Sequence, residues 1–420
     1  MTGIPEDDVL ADEFAVPEGV RPVVDRVLTF IEGEVLPYEE EHAEHVGGPL
    51  EYLDEDGRMT PEARALRDEI QERAGEAGIY ALHMPEEVGG GGLSPLEHFY
   101  VQEAVFRHGT GFGSSLARAV MAWTEGPSPA LLHLDEGQRG EWLDPLIDGT
   151  ESACICITEP NAGSDVTAIE TEAKKDGDEW VIDGHKRYIT NAVYADTAQV
   201  LARTDRADGT EGMAMFLVDT ENPGYEVGRM NENIMMDGIT ADVHLEDCRV
   251  GDDQMVGGIG DGLPLALSWV NWRRACRPGM CVGMGRYLLD RMLSYAKERE
   301  TFGEPIGSNQ AIQWPIADTA TEIHAVRNMA TTMLAEYEGM ADLADLRQPE
   351  AARRRLSMLK YYPEDRLFDW SDRAIQVLGG YGLMRAGGVE RVFRVARNLR
   401  IPAGTTEVQK RTIARTLGLE

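Results

Sequence analysis

The chain has 420 residues, of which 42% are hydrophobic and 27% are charged, so it can bury a large core and is neither disordered nor fibrous. Its 40 basic and 74 acidic residues leave a formal net charge of −34 at pH 7, which makes nucleic acid and anionic membranes unfavourable partners. Arg, Asp or Glu interrupts every long apolar stretch, so no segment supplies the roughly 18 consecutive apolar residues of a membrane span.

The acidic residues are spread along the whole chain, and only six of the basic residues are lysine. This composition is typical of a cytosol that accumulates salt, where high ionic strength screens the repulsion between acidic groups. An acidic protein of an ordinary cytosol is the alternative. The start, MTGIPEDDVLADEF, has acidic residues where a secretory signal needs a basic segment and an apolar run, so we expect a cytoplasmic protein.

The chain contains five cysteines, an odd number. Cys154 and Cys156 alternate as one face of a strand would, and Cys248, Cys276 and Cys281 lie in strand-like or apolar helix-like segments. We therefore expect buried thiols rather than a disulfide or a metal site.

Length suggests about two to three domains, and the pattern divides the chain at residues 1–151, 152–262 and 263–420. The first region is helical: Pro37 should end an early amphipathic helix, and Gly89–Gly92 marks a loop. The spacing of a helix face is seen at Val24, Val27, Leu28, Ile31 and Val35.

The middle region consists of short β-favouring segments separated by Asp-Gly and Asn-Pro-Gly turns. After Gly257–Gly262 long helical patterns return. We predict a mainly α protein with a central β domain: a helical bundle, a small β-barrel-like domain and a C-terminal four-helix-type bundle. No βαβ unit with a Gly-rich fingerprint occurs, which disfavours a dinucleotide-binding Rossmann domain.

Two segments of the β region can carry chemistry. The run Thr158-Glu-Pro-Asn-Ala-Gly-Ser-Asp165 follows a strand and offers hydroxyls, an acid and exposed backbone N–H groups to a planar ring or a phosphate. The second segment, residues 184–191, places Tyr188 and Thr190 on one face of a strand. By composition alone the first segment is more typical of a solvated turn, and the second is also compatible with an ordinary sheet.

Together with four further motifs, these segments resemble the acyl-CoA dehydrogenase family over nearly the whole chain. The further motifs are Met84-Pro-Glu-Glu-Val-Gly-Gly90, Arg299-Glu-Thr-Phe-Gly303 with Gln310, Gln376-Val-Leu-Gly-Gly380 and Gly404-Thr-Thr-Glu-Val-Gln409. The resemblance implies the same order of helical, β and helical domains, and a non-covalently bound FAD.

By position, the resemblance assigns contacts with FAD to Ile155, Ile157, Thr158, Gly163, Ser164, Tyr188, Ile189, Thr190, Arg299, Thr301, Phe302, Asn309, Gln310, Gln376, Val377, Gly379, Gly380, Thr405 and Glu407. Residues 155–164 would lie along the flavin ring, residues 188–190 would cover another part of it, and Thr405 and Glu407 would lie near the diphosphate. The assigned residues between 299 and 310, with Gln376 to Gly380, would reach the FAD of a neighbouring subunit, which implies a homodimer or homotetramer.

The resemblance places the acyl-CoA thioester against Ser164, Asn271, Arg273, Arg274, Ala403 and Gly404. Positive charge there is chemically sensible because coenzyme A is anionic, although the pair of arginines could also be a solvated helix face. No metal ion is expected.

The family's reaction is α,β-dehydrogenation, in which a carboxylate removes the α-proton, the β-hydride passes to the flavin, and an electron-transferring flavoprotein takes the electrons. The usual base is a Glu directly before the Gly-Thr of the last motif, but here that residue is Ala403. The other known position, one residue before the substrate arginine, is Arg273. Neither standard base is present.

Glu125 is the candidate replacement, because it falls near the acyl pocket at a position that is usually apolar. Partial burial would raise its pKa toward a working value, whereas a nearby Arg273 would lower it. Glu125 would be either the base or the partner of Arg273, and a solvated glutamate at a helix end is equally compatible with the sequence.

The leading prediction is a cytosolic acyl-CoA dehydrogenase of fatty-acid metabolism. One alternative is other flavin chemistry, such as enoyl-CoA reduction. Another is a catalytically silent subunit that binds FAD or acyl-CoA. Arg273 could also receive an acyl group that carries its own carboxylate.

Lowering the salt concentration tests the salt-adapted interpretation. At about 0.1 M salt the Debye length is about 10 Å, so acidic groups repel each other more than at molar salt. We expect partial unfolding or subunit dissociation, measured by circular dichroism and size-exclusion chromatography. Equal stability in dilute buffer and at molar salt would contradict this interpretation.

Overall fold

The computed structural model describes residues 14–108, 116–204 and 209–419. The N-terminal segment MTGIPEDDVLADEF therefore lies, except for Phe14, outside the described residues. Within them, no helix is both long and apolar enough to cross a membrane.

Helices predominate in the described residues before position 150 and in the C-terminal part of the chain. The N-terminal helices are α1 Arg21–Phe30, α2 Leu36–Glu41, α3 Ala43–Val46, α4 Pro49–Tyr52, α5 Pro61–Glu76, α6 Pro95–Arg107, α7 Glu136–Trp142 and α8 Asp144–Asp148. The C-terminal helices are α9 Gly262–Glu298, α10 Gln310–Glu338, α11 Glu350–Leu378, α12 Glu390–Leu399 and α13 Thr406–Thr416.

The prediction that Pro37 ends the first helix is wrong. A π-helical turn at Ile31–Val35 follows α1, and helical backbone continues through α2 to Glu41. Pro37 lies in the first turn of α2, where a missing N–H leaves no hydrogen bond unmade. The predicted buried face is present, since Val24, Val27, Ile31 and Val35 are buried.

The central region is one sheet, which confirms the predicted β domain between helical regions. Its strands are β1 Ala153–Cys156, β2 Glu172–Asp176, β3 Glu179–Thr190, β4 Thr197–Thr204, β5 Met213–Asp219, β6 Tyr225–Met230, β7 Thr240–Gly251 and β8 Met255–Val256. The order is β6-β7-β3-β2-β4-β5-β8, with β1 also paired to β4. Among the described residues β6 and β8 do not pair, so the sheet is open and the term barrel-like was too strong.

All five cysteines are buried free thiols, as predicted. Cys154 and Cys156 lie on one strand, with their Sγ atoms 3.8 Å apart. The described residues contain no group of three or more His, Cys, Asp or Glu side chains that could hold a metal ion.

Helix α9 runs through the centre of the molecule and packs closely on α6. A Cβ added at Gly279 would meet the carbonyl oxygen of Phe99 at 2.7 Å, and one at Gly283 would meet that of Glu103 at 2.5 Å. Glycine at both positions therefore lets the two helix backbones approach each other. This contact positions the basic residues of α9 beside the segment that contains Glu125.

Candidate functional site

The Thr158–Asp165 loop leaves the sheet at a gap between two strands. Strands β1 and β2 both pair in parallel with the same edge of β4: Cys156 lies opposite Val200, and Glu172 opposite Arg203. The chain between Cys156 and Glu172 therefore leaves the sheet and returns to the same edge. This geometry projects the loop from the sheet while both of its ends are held.

A buried ion pair anchors the loop. The Lys186 ammonium, fully buried in β3, donates to Glu159 Oε1 at 2.8 Å and to the carbonyl oxygen of Leu201 at 2.7 Å. Glu159 also accepts from the backbone N–H of Glu170 at 2.5 Å and from the Thr171 hydroxyl at 2.6 Å. Glu159 is thus a structural anchor of the loop, and the exposed Gly163 and Ser164 remain accessible to a ligand.

The pKa of Glu159 reflects these contacts. Burial alone would raise this pKa, but Lys186 and the N–H of Glu170 outweigh burial and hold it below its usual value. Burial also lowers the pKa of Lys186, although Glu159 opposes that shift. Each group therefore favours the charged form of the other.

The predicted flavin-facing residues of the β region lie on the accessible side of this loop and of β3. Gly163 and Ser164 are exposed, and Thr158 and Thr190 are half-buried. Tyr188 is 61% exposed and has a left-handed φ of 59°, next to an irregular register between β3 and β7. Ile155 and Ile157 are half-buried. Ile189 is buried in the sheet core, so only its backbone faces the accessible side.

The predicted C-terminal cofactor residues are mostly exposed. Arg299, Asn309 and Gln310 flank a short hairpin of β9 Glu300–Thr301 and β10 Glu304–Pro305, with Phe302 fully exposed at its turn. Also exposed are Gln376, Gly379 and Gly380, whereas the Val377 side chain is buried. Within the described residues no hydrogen bond joins these groups to residues 155–164. Their exposure is what an interface with a second subunit requires.

A separate cluster forms where α9 meets the loop before α13. Arg274 donates through Nε to the carbonyl oxygen of Ala403 at 3.1 Å and through Nη1 to Asn271 Oδ1 at 3.1 Å. Gln409 Nε2 donates to the Gly404 carbonyl oxygen at 2.9 Å. Four of the predicted substrate residues are therefore neighbours.

At the start of α13, Thr405 Oγ1 accepts from the N–H of Val408 and so caps the helix. Glu407, one of the predicted diphosphate neighbours, is exposed.

Glu125 is buried, but its ion-pair partner is Arg67 and not Arg273. Its Oε1 atom accepts from Arg67 Nη2 at 2.6 Å, and its Oε2 atom accepts from the N–H and hydroxyl of Thr124, both at 2.9 Å. Burial raises the pKa of Glu125, but Arg67 and Arg118 outweigh burial and hold the pKa below its usual value. The two opposing effects expected from the sequence are both present, but the main cation that lowers the pKa is Arg67 rather than Arg273.

Arg273 is buried rather than solvated. Its side chain lies between two indole rings, with Cζ 4.9 Å from the centre of Trp123 and 5.0 Å from that of Trp272. Its Nε and Nη1 atoms have no hydrogen-bond partner among the described residues. Burial, reinforced by Arg277, lowers the pKa of Arg273 to about 10, so the group stays charged at neutral pH.

Sequence reasoning missed Lys186 and Arg67. Lys186 had a usable signal, since a lysine inside a strand of a lysine-poor chain suggests a buried pair. Arg67 had none, because it lies 58 positions from Glu125 on an ordinary amphipathic helix.

The residues present fit a flavin. Gly163, Gly379 and Gly380 have no atom within 4 Å of an added Cβ, so a flat ligand can approach bare backbone at each of them. Hydroxyl donors at Thr158, Ser164 and Thr190 suit the polar edge of an isoalloxazine ring.

Comparison with known proteins agrees with this geometry. The profiles described as "Acyl-CoA dehydrogenase, N-terminal domain", "middle domain" and "C-terminal domain" match residues 18–150, 154–248 and 260–418. A "Probable acyl-CoA dehydrogenase YngJ" of Bacillus subtilis is 34% identical over 406 residues, which are 96% of this chain and 99% of that protein.

Two further similarities cover most of the chain. The "Caffeyl-CoA reductase-Etf complex subunit CarC" of Acetobacterium woodii is 31% identical over 87% of this chain and 92% of that protein. The crystal structure of a probable acyl CoA dehydrogenase from Mycobacterium abscessus superposes with a TM-score of 0.82 and 27% identity, covering 96% of this chain and 100% of that one.

Replacement of Lys186 tests the anchor of the loop. Lys186→Met leaves the Glu159 carboxylate buried without its cation, so we expect the free energy of unfolding to fall by about 3–5 kcal/mol at neutral pH. Urea denaturation measures this loss. The matched control is Lys174→Met, where the Lys174 side chain is 64% exposed and a change near zero is expected.

The contribution of the Glu159–Lys186 pair to the free energy of unfolding depends on pH with a definite sign. In the native protein the lowered pKa of Glu159 contributes stability above the usual carboxyl range, and this contribution is lost as the pH falls through that range. In Lys186→Met the pKa of Glu159 should lie above its usual value, so the deficit should shrink as acid neutralises the carboxylate. A deficit independent of pH would mean that lost packing, not charge, is responsible.

Proposed function

This chain belongs to the acyl-CoA dehydrogenase family, whose members are flavoproteins and oxidoreductases of CH–CH groups, and we propose that it converts an acyl-CoA thioester to the 2-enoyl-CoA. The substrate loses a proton from Cα and a hydride from Cβ. An electron-transferring flavoprotein takes the two electrons onward. The similarity to a subunit of a reductase–Etf complex supports such a partner.

FAD, when bound, supplies the acceptor for the hydride. We propose that Thr158, Ser164 and Thr190 hold its ring, and that Arg299 and the backbone at Gly379 and Gly380 approach the FAD of a second subunit. Both sets of residues are at least partly exposed in the single chain, which supports the assignment of one set to its own FAD and of the other to the FAD of a second subunit. The protein would therefore act as a homodimer or a larger homo-oligomer.

Arg274 is proposed to hold the coenzyme A portion and to shape the thioester site. Its Nε atom is committed to the Ala403 carbonyl oxygen and its Nη1 atom to Asn271. Burial lowers the pKa of Arg274 to about 10, which leaves it cationic. A cation here offsets, locally, the −34 charge that would otherwise repel an anionic ester.

The observation that most limits the mechanism is the absence of a carboxylate at either usual base position. Ala403 offers only a carbonyl oxygen that already accepts from Arg274, and residue 273 is a cation. Glu125 is held by Arg67 with a lowered pKa, which makes it a weak proton acceptor. We propose that Glu125 positions Arg67 instead of removing the α-proton.

A second candidate function is reduction of an enoyl-CoA with electrons from the same partner. It is favoured by the similarity to the caffeyl-CoA reductase subunit. The missing carboxylate bears equally on both directions, because the group that would protonate Cα in reduction is the one that would remove the α-proton in dehydrogenation. Direction of the reaction distinguishes the two functions.

Anaerobic titration tests the proposed function. Purified protein reconstituted with FAD is mixed with a panel of saturated acyl-CoA esters, and bleaching of the flavin absorbance is followed. Bleaching by at least one ester, with release of the 2-enoyl-CoA, is expected. Bleaching by none, combined with reoxidation of chemically reduced protein by enoyl-CoA, would favour reduction, and inertness in both directions would indicate a silent subunit.

Glu125→Gln separates positioning from proton abstraction. Because the amide keeps the shape but loses the charge opposite Arg67, we expect a loss of about 3–5 kcal/mol in unfolding free energy. The rate of flavin bleaching, corrected for folded protein, should change less than about tenfold, with the same pH profile. A fall of about 1,000-fold or more in a folded variant would instead make Glu125 the base.

A further inference from the structure

Arg273 differs from the interior arginines that pair with carboxylates, because no acidic group of the described residues lies within ion-pair distance of it. Arg67 pairs with Glu125 at 2.6 Å, Arg277 lies 3.4 Å from Glu364, and Arg118 lies 3.8 Å from Asp237. In the described part of the chain no ion pair is formed by Arg273, which is only 3% exposed. A charged guanidinium held out of water without a counter-ion is costly, and a bound anion would offset that cost.

Two polar atoms of neighbouring rings also lack partners. Trp272 Nε1 and His83 Nδ1 are buried and make no hydrogen bond within the described residues. The His83 ring stacks on Trp272 at 4.3 Å between ring centres. Unsatisfied buried polar groups are rare in native proteins, so two of them near one cation indicate a place that is completed by a ligand.

The ligand must supply negative charge. Burial lowers the pKa of His83 to about 3 and that of His98 to about 4, so both rings are neutral and leave Arg273 as the uncompensated cation of the cluster. Arg273 and Trp272 offer N–H donors, and the two indole faces bound the guanidinium on either side. Such a setting accepts a planar carboxylate, which pairs well with a guanidinium.

The positions of Arg273 and Arg274 on α9 decide which part of a thioester reaches this cluster. Arg274 contacts the Ala403 loop, where the coenzyme A portion is proposed to bind, whereas Arg273 is directed toward Trp123 in the interior. A phosphate group of the coenzyme A nucleotide cannot reach Arg273 in the interior, because the bulky sugar and base would have to enter with it. A slender acyl chain can bring a terminal carboxylate there.

We propose that Arg273 binds a carboxylate carried by the acyl group, so that the substrates are monothioesters of dicarboxylic acids. This inference rests on the proposed function, since it assigns the acyl group of that same reaction. Arg273 is then a specificity residue that orients the acyl chain through charge, whereas an alkyl chain would leave the guanidinium unpaired.

Matched substrates test the charge preference. FAD-loaded protein is assayed anaerobically with glutaryl-CoA and adipyl-CoA, with valeryl-CoA and hexanoyl-CoA of the same chain lengths, and with the methyl ester of glutaryl-CoA. We expect kcat/KM to be about 100-fold higher for the best carboxylated ester than for its alkyl match. The neutral methyl ester should behave like the alkyl esters. Equal rates for charged and neutral esters would overturn the inference.

Variants assign the preference to Arg273. Arg273→Met should cost the carboxylated esters about 100-fold in kcat/KM, mostly through KM, and should leave the alkyl esters within about threefold. Arg273→Lys keeps the charge and should retain part of the preference. The control Arg397→Met removes an exposed arginine and should change neither class. An equal loss for both classes in Arg273→Met would show a structural role and contradict the inference.

Calorimetry separates this inference from the proposed function. If no ester bleaches the flavin, the proposed dehydrogenation fails, while the binding of carboxylated and alkyl esters still measures the charge preference. Tighter binding of the carboxylated esters that disappears in Arg273→Met supports the carboxylate site. Equal binding rejects it. Should Arg273→Met not fold, the comparison of glutaryl-CoA with its methyl ester on the native protein decides the question.

Discussion

The close crossing of α9 with α6 is the constraint on which the arrangement of the candidate site depends. Carbonyl oxygens of α6 occupy the space that side chains at Gly279 and Gly283 would need. This proximity holds the preceding turns of α9 in the interior, so that two adjacent residues of the helix contact different parts of the protein. Arg273 lies among buried aromatic rings, whereas Arg274 reaches the Ala403 loop.

Charge is distributed very unevenly between surface and interior. The chain has a net charge of −34, yet its buried charges include several arginines and lysines that are individually matched to carboxylates. The Glu159–Lys186 pair shows what this matching achieves. It uses Glu159 to anchor the Thr158–Asp165 loop, so that exposed residues such as Ser164 can present backbone and hydroxyl groups to a ligand.

The departure from the family pattern at Ala403 changes the chemistry of the loop before α13 but does not remove the order of its backbone. Ala403 has a left-handed φ of 57°, and its carbonyl oxygen is held by Arg274 and Gln409. The backbone is therefore organised around a position that carries no proton acceptor. A cation occupies the alternative position, which links the loss of a carboxylate to the uncompensated charge of Arg273.

The sequence by itself determined the order of helical, β and helical regions, the buried thiols and the membership of the family, because apolar periodicity and ordered motifs are local properties of the chain. It also identified Ala403 and Arg273 as departures. Only the tertiary structure decided that Arg67 pairs with Glu125, that Lys186 anchors Glu159 and that Arg273 is buried without a partner. These facts depend on which distant segments pack together, and neither the cost of burying a charge nor the partner that offsets this cost can be read from spacing along the chain.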